Sequence, residues 1–128
     1  MAIQLNHHIV KVKDKHVSAE YYADVFGLPP AQPFGPFLHL AFANDVSLDF
    51  SDMEGESPGQ HYAFLVSEEE WDEIFARLKE RGTTYYADPF LRQPGEYNTH
   101  DGGRGVYWFD PDRHFLEIIT RPYGGIPA

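Results

Sequence analysis

The chain has 128 residues, of which 42% are hydrophobic and 16% aromatic, as is typical of one globular domain. Ten Lys and Arg residues stand against twenty Asp and Glu residues, which gives a formal charge of −10. This balance argues against nucleic acid and anionic membranes as partners, because both select clustered basic residues. Cysteine is absent, which excludes disulfides and thiolate metal sites. No apolar run has membrane-spanning length and the first residues form no signal segment, so we expect a cytoplasmic location.

The first half of the chain predicts a strand, a helix and a hairpin. Residues 3–12 alternate between apolar and polar positions, as a half-buried strand does. A helix is expected to begin after Asp14 as N-cap and to end at Gly27. The predicted apolar stripe of this helix consists of Val17, Tyr21 and Val25. After the proline-rich connector L-P-P-A-Q-P-F-G-P, the stretches F-L-H-L-A-F-A and V-S-L-D-F read as two strands joined at Asn44-Asp45.

The second half repeats this order. Residues 60–66 are strand-like, and Ser67 with Glu70 forms a capping box that begins a helix ending at Gly82. The apolar stripe of this second helix consists of Trp71, Ile74, Phe75 and Leu78. T-T-Y-Y-A-D then reads as a short strand, and G-V-Y-W-F-D and H-F-L-E-I-I-T as a final hairpin.

Counting supports an internal duplication. A shift of 54 residues places His7 on His61, and a shift of 68 places Asp49 on Glu117. The difference of fourteen residues indicates a loop insertion at about residues 89–104. We therefore predict one α+β domain over residues 1–128, made of two strand-helix-three-strand modules at about 1–54 and 57–124.

The polar residues at matched positions of the repeat indicate a metal site. His7 and His61 each begin the first strand of a module, and Asp49 and Glu117 each lie between apolar neighbours in its last strand. Strand alternation directs these acids away from the apolar face. A carboxylate in such a strand is costly unless it is paired or coordinated. Imidazole and carboxylate together suit Zn, Fe, Ni or Mn.

The sequence resembles the vicinal oxygen chelate superfamily of glyoxalase I, extradiol dioxygenases, fosfomycin-resistance proteins and bleomycin-binding proteins. The resemblance covers nearly the whole chain and is carried by L-N-H-H-I-V-K-V-K-D, A-E-Y-Y-A-D-V-F-G-L, H-Y-A-F-L-V and V-Y-W-F-D-P-D-R-H-F-L-E-I. It implies two βαβββ modules whose curled mixed sheets form a metal-binding cup, closed within the chain or across a homodimer. Family members usually have Gly where Arg113 stands, a change that affects a turn. The metal ligands that the resemblance implies are His7, His61 and Glu117, with Asp49 as a conditional or second-shell ligand.

The resemblance implies a divalent-metal-dependent enzyme whose metal chelates a small oxygenated compound, which can be aromatic. The enzyme would act either as a lyase or isomerase or as a dioxygenase. Glu117 would serve as the base in the first case. Tyr107, ten residues before Glu117, matches an active-site Tyr of the dioxygenases. Their histidine base has no counterpart in A-N-D-V-S-L-D-F-S-D, which leaves His39 as a substitute only if it faces the site. Fosfomycin-type chemistry is disfavoured, because its members need a hydroxyl residue where Ile9 stands.

The alternative function is metal-free binding of a small molecule, as in bleomycin-resistance proteins, without catalysis. The inserted loop serves either reading, because Arg92, Tyr97 and Arg104 would cap a ligand if the loop were a lid. His100, in the same loop, is the candidate second-shell acid or base. The choice of His7 over His8 depends on the register of the first strand, since a slip of one residue would exchange the two.

Overall fold

The computed structural model describes residues 3–123. The chain divides into two compact units, Met1–Pro58 (unit 1) and Gly59–Ala128 (unit 2). The outer limits predicted for the two modules, residues 1 and 124, lie outside the described residues.

Unit 1 contains one helix and a four-stranded mixed sheet. Its elements are β1 (His7–Val12), α1 (Lys15–Phe26), β2 (Gln32–Phe34), β3 (Phe37–Ala41) and β4 (Ser47–Asp52). The strand order is β1-β4-β3-β2, with β1 parallel to β4 and the other neighbours antiparallel. The first strand begins at His7, so the predicted start at Ile3 was wrong.

Unit 2 repeats this arrangement. Its elements are β5 (His61–Leu65), α2 (Glu68–Glu80), β6 (Tyr85–Tyr86), β7 (Gly105–Phe109) and β8 (Phe115–Ile119). The order is β5-β8-β7-β6, again with the first strand parallel to the last. The predicted α+β class with two βαβββ modules and mixed sheets is confirmed. Neither four-stranded sheet closes on itself.

The helix ends follow the predicted capping chemistry. The Asp14 side chain accepts hydrogen bonds from the first free backbone N–H groups of α1, and Gly27 ends that helix at φ 68°. Ser67 and Glu70 form the reciprocal capping box of α2. Between residues 3 and 123, no helix combines the length and apolar character needed to cross a bilayer.

The buried face of α1 differs from the predicted stripe. Val17 is 54% exposed, and Tyr22 instead packs its ring 4.9 Å from that of Phe50. The buried residues of α1 are Ser18, Ala19, Tyr22, Ala23 and Val25. The caps Asp14 and Ser67 are 53 residues apart, not 54. The repeat therefore slips by one residue between strand and helix, which rotates the helix face.

The proline-rich connector contains β2, a strand that the sequence pattern did not predict. β2 pairs with β3 and is the last strand in the order of its sheet, so it lies at an edge. Proline is tolerated at an edge, because one side of the strand needs no ladder hydrogen bonds. Pro33 therefore does not prevent the strand from forming.

The inserted loop is organised by its own side chains. The Asp88 carboxylate accepts hydrogen bonds from the backbone N–H groups of Phe90, Arg92 and Gln93. Asn98 is buried and donates from Nδ2 to the carbonyl of Ala87. A short 3₁₀ turn covers His100–Gly102. The segment lacks periodicity because polar side chains, not an apolar face, fix its backbone.

A left-handed residue in the β7–β8 turn yields a stability prediction. Arg113 has φ 65°, and its guanidinium lies 4.4 Å from the centre of the Phe109 ring. A non-glycine residue with left-handed backbone angles lowers the stability of the folded state by roughly 1–2 kcal/mol. We expect Arg113→Gly to be more stable than Arg113→Ala by about 1 kcal/mol in urea unfolding, since both variants lose the guanidinium but only glycine relieves the backbone. The matched pair at Arg92, whose φ is not positive, should show no advantage for glycine. Equal stability of the Arg113→Gly and Arg113→Ala variants would show that the left-handed backbone at this position is not strained.

Candidate metal centre

The centre of unit 2 is a carboxylate buried in an apolar strand. Glu117 is 1% exposed, and its neighbours Leu116 and Ile118 are fully buried on the opposite face of β8. The β-ladder sets Ala63 on one side of Glu117 and Tyr107 on the other. Small Ala63 leaves room above the sheet, whereas Tyr107 brings a hydroxyl to the acid.

His61 completes a pair with Glu117. Its Nε2 lies 3.0 Å from Oε1 of Glu117, and its Nδ1 lies 2.8 Å from the carbonyl oxygen of Phe115. A carbonyl oxygen only accepts, so Nδ1 carries a hydrogen and the neutral ring keeps its lone pair on Nε2. Lone pairs of Nε2 and of an ionised carboxylate therefore face each other unless a proton or a cation lies between them. A backbone acceptor behind one ring nitrogen is also the usual support of a metal-binding histidine.

The electrostatics of Glu117 favour a positive partner. Burial raises the pKa of this carboxyl, while hydrogen bonds with Tyr107 and His61 act in the lowering direction. Its Oε2 is buried and has no hydrogen-bond partner among the described residues. A buried carboxylate oxygen without a donor is costly, and a divalent cation would satisfy it.

Tyr107 is held as a neutral phenol. Burial, followed by its hydrogen bond with Glu117, raises the pKa of Tyr107 well above its usual range. Its hydroxyl lies 2.7 Å from that of Tyr123. If Tyr107 donates to Glu117, then Tyr123 donates to Tyr107, so the two phenols form a donor chain ending at the carboxylate.

Aromatic rings extend from this pair along the same face of the sheet. We call them the aromatic array, which consists of His61, Tyr107, Phe109 and Phe115. The Phe115 ring lies 5.7 Å from the His61 ring, 5.4 Å from Tyr107 and 4.6 Å from Phe109. Such a surface suits contact with a planar apolar ligand.

Unit 1 carries a second acid–imidazole pair with a different partner. Asp49 is 5% exposed, and its Oδ1 lies 2.7 Å from Nδ1 of His39. The Ser47 hydroxyl donates to the same oxygen at 3.3 Å. His7 begins β1 opposite Ser47, on the face that carries Asp49, but it is exposed and bonds the side chain of Asn6 at 2.8 Å. His8 points to the other face of β1, as predicted.

The structure brings some predicted site residues together and leaves others apart. It joins His61, Glu117 and Tyr107, and it joins Asp49 to His39, which the sequence offered only as a substitute base. Within residues 3–123, no group of three or more His, Asp or Glu side chains is placed to hold a metal ion. The convergence of His7 with the unit 2 pair stays a prediction. The signal for His39 was present, because the shift of 68 that matches Asp49 to Glu117 also matches His39 to Tyr107.

The inserted loop lies on the helix side of unit 2. Tyr97 packs 5.0 Å from Trp71 of α2, and Arg104 binds the carboxylates of Glu68 and Asp72 at 2.9 and 2.8 Å. The Arg104 guanidinium also lies 4.1 Å from the Trp71 ring. These contacts anchor the loop to α2.

The remaining loop residues are not bonded to the Glu117 pair. Arg92 bonds Asp88 within the loop. The backbone N–H of His100 donates to the side chain of Asn98, and no hydrogen bond within residues 3–123 joins His100 to Glu117 or His61. An acid or base role for His100 stays a prediction without support from a contact.

Comparisons with known proteins agree on the family. A model of the Glyoxalase/Bleomycin resistance protein/Dioxygenase superfamily matches residues 4–118. The chain is 27% identical over 124 residues to glutathione transferase FosA of Serratia marcescens, covering 92% of this chain and 81% of that protein. It is 25% identical over 126 residues to metallothiol transferase FosB of Lysinibacillus sphaericus (strain C3-41), covering 94% and 84%.

Two solved structures are more similar. Oxidase ChaP-H1 is 58% identical with a TM-score of 0.94, covering 97% of this chain and all of that one. Oxidase ChaP-H2 is 54% identical with a TM-score of 0.95, covering 98% of this chain and all of that one.

The buried carboxyl predicts a pH-dependent stability difference in chelator-treated protein. Because the pKa of Glu117 is raised in the folded state, the folded chain holds this proton more tightly than the unfolded chain does. Wild-type stability relative to Glu117→Gln should therefore fall as pH rises from the ordinary carboxyl range through the raised pKa, by on the order of 1 kcal/mol. Urea unfolding at several pH values measures this slope. Glu69→Gln, at an exposed position of α2, is the control that should leave the slope unchanged. A difference in unfolding free energy between wild type and Glu117→Gln that does not change with pH would contradict the raised pKa of Glu117.

Proposed function

This chain belongs to the Glyoxalase/Bleomycin resistance protein/Dioxygenase superfamily, and on that premise we propose that it is a divalent-metal-dependent oxidase of a small oxygenated compound. The observation that carries the proposal is the buried Glu117 carboxylate with Nε2 of His61 beside it. The reaction type rests on the oxidases ChaP-H1 and ChaP-H2, which share more than half of their residues with this chain. The transferases, at about half that identity, support a transferase reaction less.

The residues present fit a divalent cation. Nε2 of His61 is directed to Glu117 by the backbone contact of its other nitrogen, and Oε2 of Glu117 is a buried acceptor that needs a positive partner. Nitrogen and carboxylate donors suit Fe, Zn, Ni or Mn. When bound, such an ion would act as a Lewis acid toward neighbouring oxygens of the substrate. His7 is the proposed third ligand, on the strength of its matched repeat position and the family resemblance.

The chain's own residues then bind and orient the substrate. The aromatic array places stacked and tilted rings beside Glu117, which favours an aromatic or enolic substrate such as a phenol or an enol. Tyr107 stays a phenol near neutral pH, because burial holds its pKa high, so its hydroxyl acts as a donor. It can hold Glu117 in place or donate to a substrate oxygen that carries developing negative charge.

Asp49 was left open between ligand and supporting residue, and we propose the supporting role. Its Oδ1 already bonds His39 and Ser47, so the carboxylate is engaged within unit 1.

We also propose that the active form is a homodimer, which light scattering on the purified protein would test; a monomeric mass in an active preparation would exclude it.

Sequestration without catalysis is the second candidate function. The aromatic array favours it, because stacked rings alone bind planar drugs. The two functions differ in their dependence on the metal, since a sequestering protein would bind an aromatic compound equally well after chelation.

Metal content tests the proposed ligands. Untagged protein should hold about one divalent ion per chain, and His61→Ala or Glu117→Ala should weaken binding by more than the roughly 10–100-fold typical of changes outside the ligand shell. His7→Ala should weaken binding as well. The matched control is the adjacent His8→Ala, because His8 lies on the other face of β1. Elemental analysis and titration with the metal measure the loss. Unchanged binding in Glu117→Ala would exclude the proposed centre.

Oxygen consumption tests the reaction type. Metal-loaded protein should consume dioxygen with some members of a panel of catechols, naphthols and α-hydroxyketones. Tyr107→Phe should slow that consumption by roughly 100-fold while keeping the metal, because it removes the donor hydroxyl. An oxygen electrode measures both. Full metal occupancy and tight binding of a panel member without oxygen uptake would favour sequestration.

A further inference from the structure

We propose that His114 is a positioning residue of the candidate metal centre, because it fixes the start of β5 and thereby holds the His61 imidazole at Glu117. We call Gly59, Gln60 and His114 the strand clasp, since they join the entry of β5 to the turn before β8. That His61 binds a metal rests on the proposed function, whereas the clasp itself is observed in unit 2 alone.

The central contact of the strand clasp is a side-chain hydrogen bond to the backbone. His114 is fully buried, and its Nδ1 accepts a hydrogen bond from the backbone N–H of Gln60 at 3.0 Å. The backbone N–H of Phe115 donates to the carbonyl of Gln60 at 2.7 Å. Both backbone groups of the residue before His61 are therefore bonded. Ends of elements usually open most readily, and these two bonds oppose such opening at the end of β5 that carries His61.

His114 is itself held in one place. Its backbone N–H donates to Oδ1 of Asp110 at 2.8 Å, and its carbonyl accepts from the backbone N–H of Asp110 at 2.9 Å. Its ring lies 5.9 Å from the Tyr62 ring in an edge contact. Tyr62 follows His61 in β5, so its side chain leaves the opposite face of the strand. His114 therefore acts on His61 through the backbone and is not a further metal ligand.

A close backbone contact at Gly59 is an independent sign of the same constraint. A Cβ atom at this position would lie 2.7 Å from the carbonyl oxygen of Arg113, closer than a Cβ atom normally approaches the backbone. Only glycine lets the chain enter β5 this near to the turn that carries His114. The turn therefore sets where β5 begins, and with it the position of His61 relative to Glu117.

The His61 ring depends on this constraint because packing alone does not hold it. Its side chain is 48% exposed, and two contacts orient the ring: Nδ1 donates to the carbonyl of Phe115, and Nε2 faces Glu117. Phe115 directly follows His114, and His61 directly follows Gln60. The clasp is thus one residue away from both partners of the Nδ1 hydrogen bond.

The repeat supplies a comparison in which the strand clasp is missing. Val46 stands at the position of His114, and its side chain has no hydrogen-bonding atom. Leu5 stands at the position of Gly59 and is 72% exposed, so no close backbone contact requires a glycine there. Unit 1 therefore has the strand pairing of unit 2 without the clasp.

The leading histidine of unit 1 is oriented differently. The ladder bond is shared, because the backbone N–H of Ser47 donates to the carbonyl of Asn6 at 3.0 Å, as that of Phe115 does to Gln60. His7 nevertheless bonds the side chain of Asn6, and the acid of its sheet bonds the hairpin strand. Strand pairing alone therefore does not direct the leading imidazole to the acid.

Two substitutions at His114 separate its hydrogen bond from its packing. His114→Asn places an amide oxygen near the position of Nδ1, so that the bond from Gln60 can persist, whereas His114→Leu fills similar space without an acceptor. NMR of chelator-treated protein with isotope-labelled histidine should show a slowly exchanging Nδ1 hydrogen on His61, assigned by its absence in His61→Ala. This hydrogen should exchange roughly 5–10-fold faster in His114→Leu, as expected for loss of about one hydrogen bond, and should stay protected in His114→Asn.

Metal affinity is the second readout, with Zn²⁺ as the probe. His114→Leu should bind it roughly 10–100-fold more weakly than wild type, as is typical of changes outside the ligand shell, and His114→Asn should restore the affinity. Gly59→Ala displaces the same strand entry and should follow His114→Leu in both readouts. The control is Ile74→Val, which removes a methyl group from the buried face of α2 and so lowers stability without changing a residue of the clasp.

The outcomes distinguish positioning from a general loss of stability. Equal exchange of the Nδ1 hydrogen in wild type and His114→Leu would overturn the proposal, and so would an equal loss of protection in Ile74→Val. If His114→Leu does not fold, Gly59→Ala decides by the same readouts. A wild-type spectrum without a protected Nδ1 hydrogen on His61 would overturn the proposal without any variant. If wild type binds no metal, the proposed function fails, while the exchange comparison still decides whether His114 positions His61.

Discussion

The burial of one carboxylate constrains the rest of unit 2. Glu117 lies between Leu116 and Ile118 in a strand whose other face is core, so its charge must be met by neighbouring strands. The parallel pairing of β5 with β8 meets this need, because it places the first residue of β5, His61, beside Phe115 and within 3.0 Å of the acid. The antiparallel pairing of β7 adds Tyr107 from the other side. The mixed sheet is thus what allows an imidazole and a phenol to converge on one acid.

Duplication gives the same frame twice, and side-chain length and identity then decide its chemistry. In unit 2 the longer Glu117 is paired with the histidine of the leading strand. In unit 1 the shorter Asp49 is paired with His39 of the neighbouring hairpin strand, and His7 bonds Asn6 instead. The two units thus differ at the acid by one methylene and at its third-strand neighbour by imidazole in place of phenol, and the acid pairs with the hairpin strand in unit 1 and with the leading strand in unit 2.

Sequence reasoning predicted the frame well because its signals are local or periodic. The N-cap role of Asp14 could be recognised from the residues next to it. The same holds for the position of Glu117 in the middle of an apolar strand. The buried face of α1 was partly misplaced because Val17, Tyr21 and Val25 follow helical spacing, but the neighbouring Tyr22 also does so with Val25 and is the residue that is buried, on a face about 100° away from that of Tyr21. β2 was missed because Pro33 weakens the strand signal, and only the structure shows that it lies at an edge. The partner of Asp49 depends on cross-strand register, which the hairpin turn sets; the repeat shift that matches His39 to Tyr107 carried this signal, but the alternation within each strand did not.

The distribution of contacts in unit 2 separates stability from chemistry. The inserted loop binds α2 through Tyr97 and Arg104, and Tyr85, which packs on Phe75 of α2, stands opposite Trp108 on β7. Successive residues of β7 alternate, so Trp108 and Tyr107 leave opposite faces, and the loop residues Tyr97 and Arg104 lie on the helix face, away from Glu117. The candidate acid, imidazole and phenol are therefore carried by strands and not by the longest loop of the chain. Groups held on strands keep their spacing without an ordering cost when a ligand arrives, which is the condition for binding a cation between two fixed side chains. Variation in the loop can then alter the stability of α2 without moving the pair on which the proposed reaction depends.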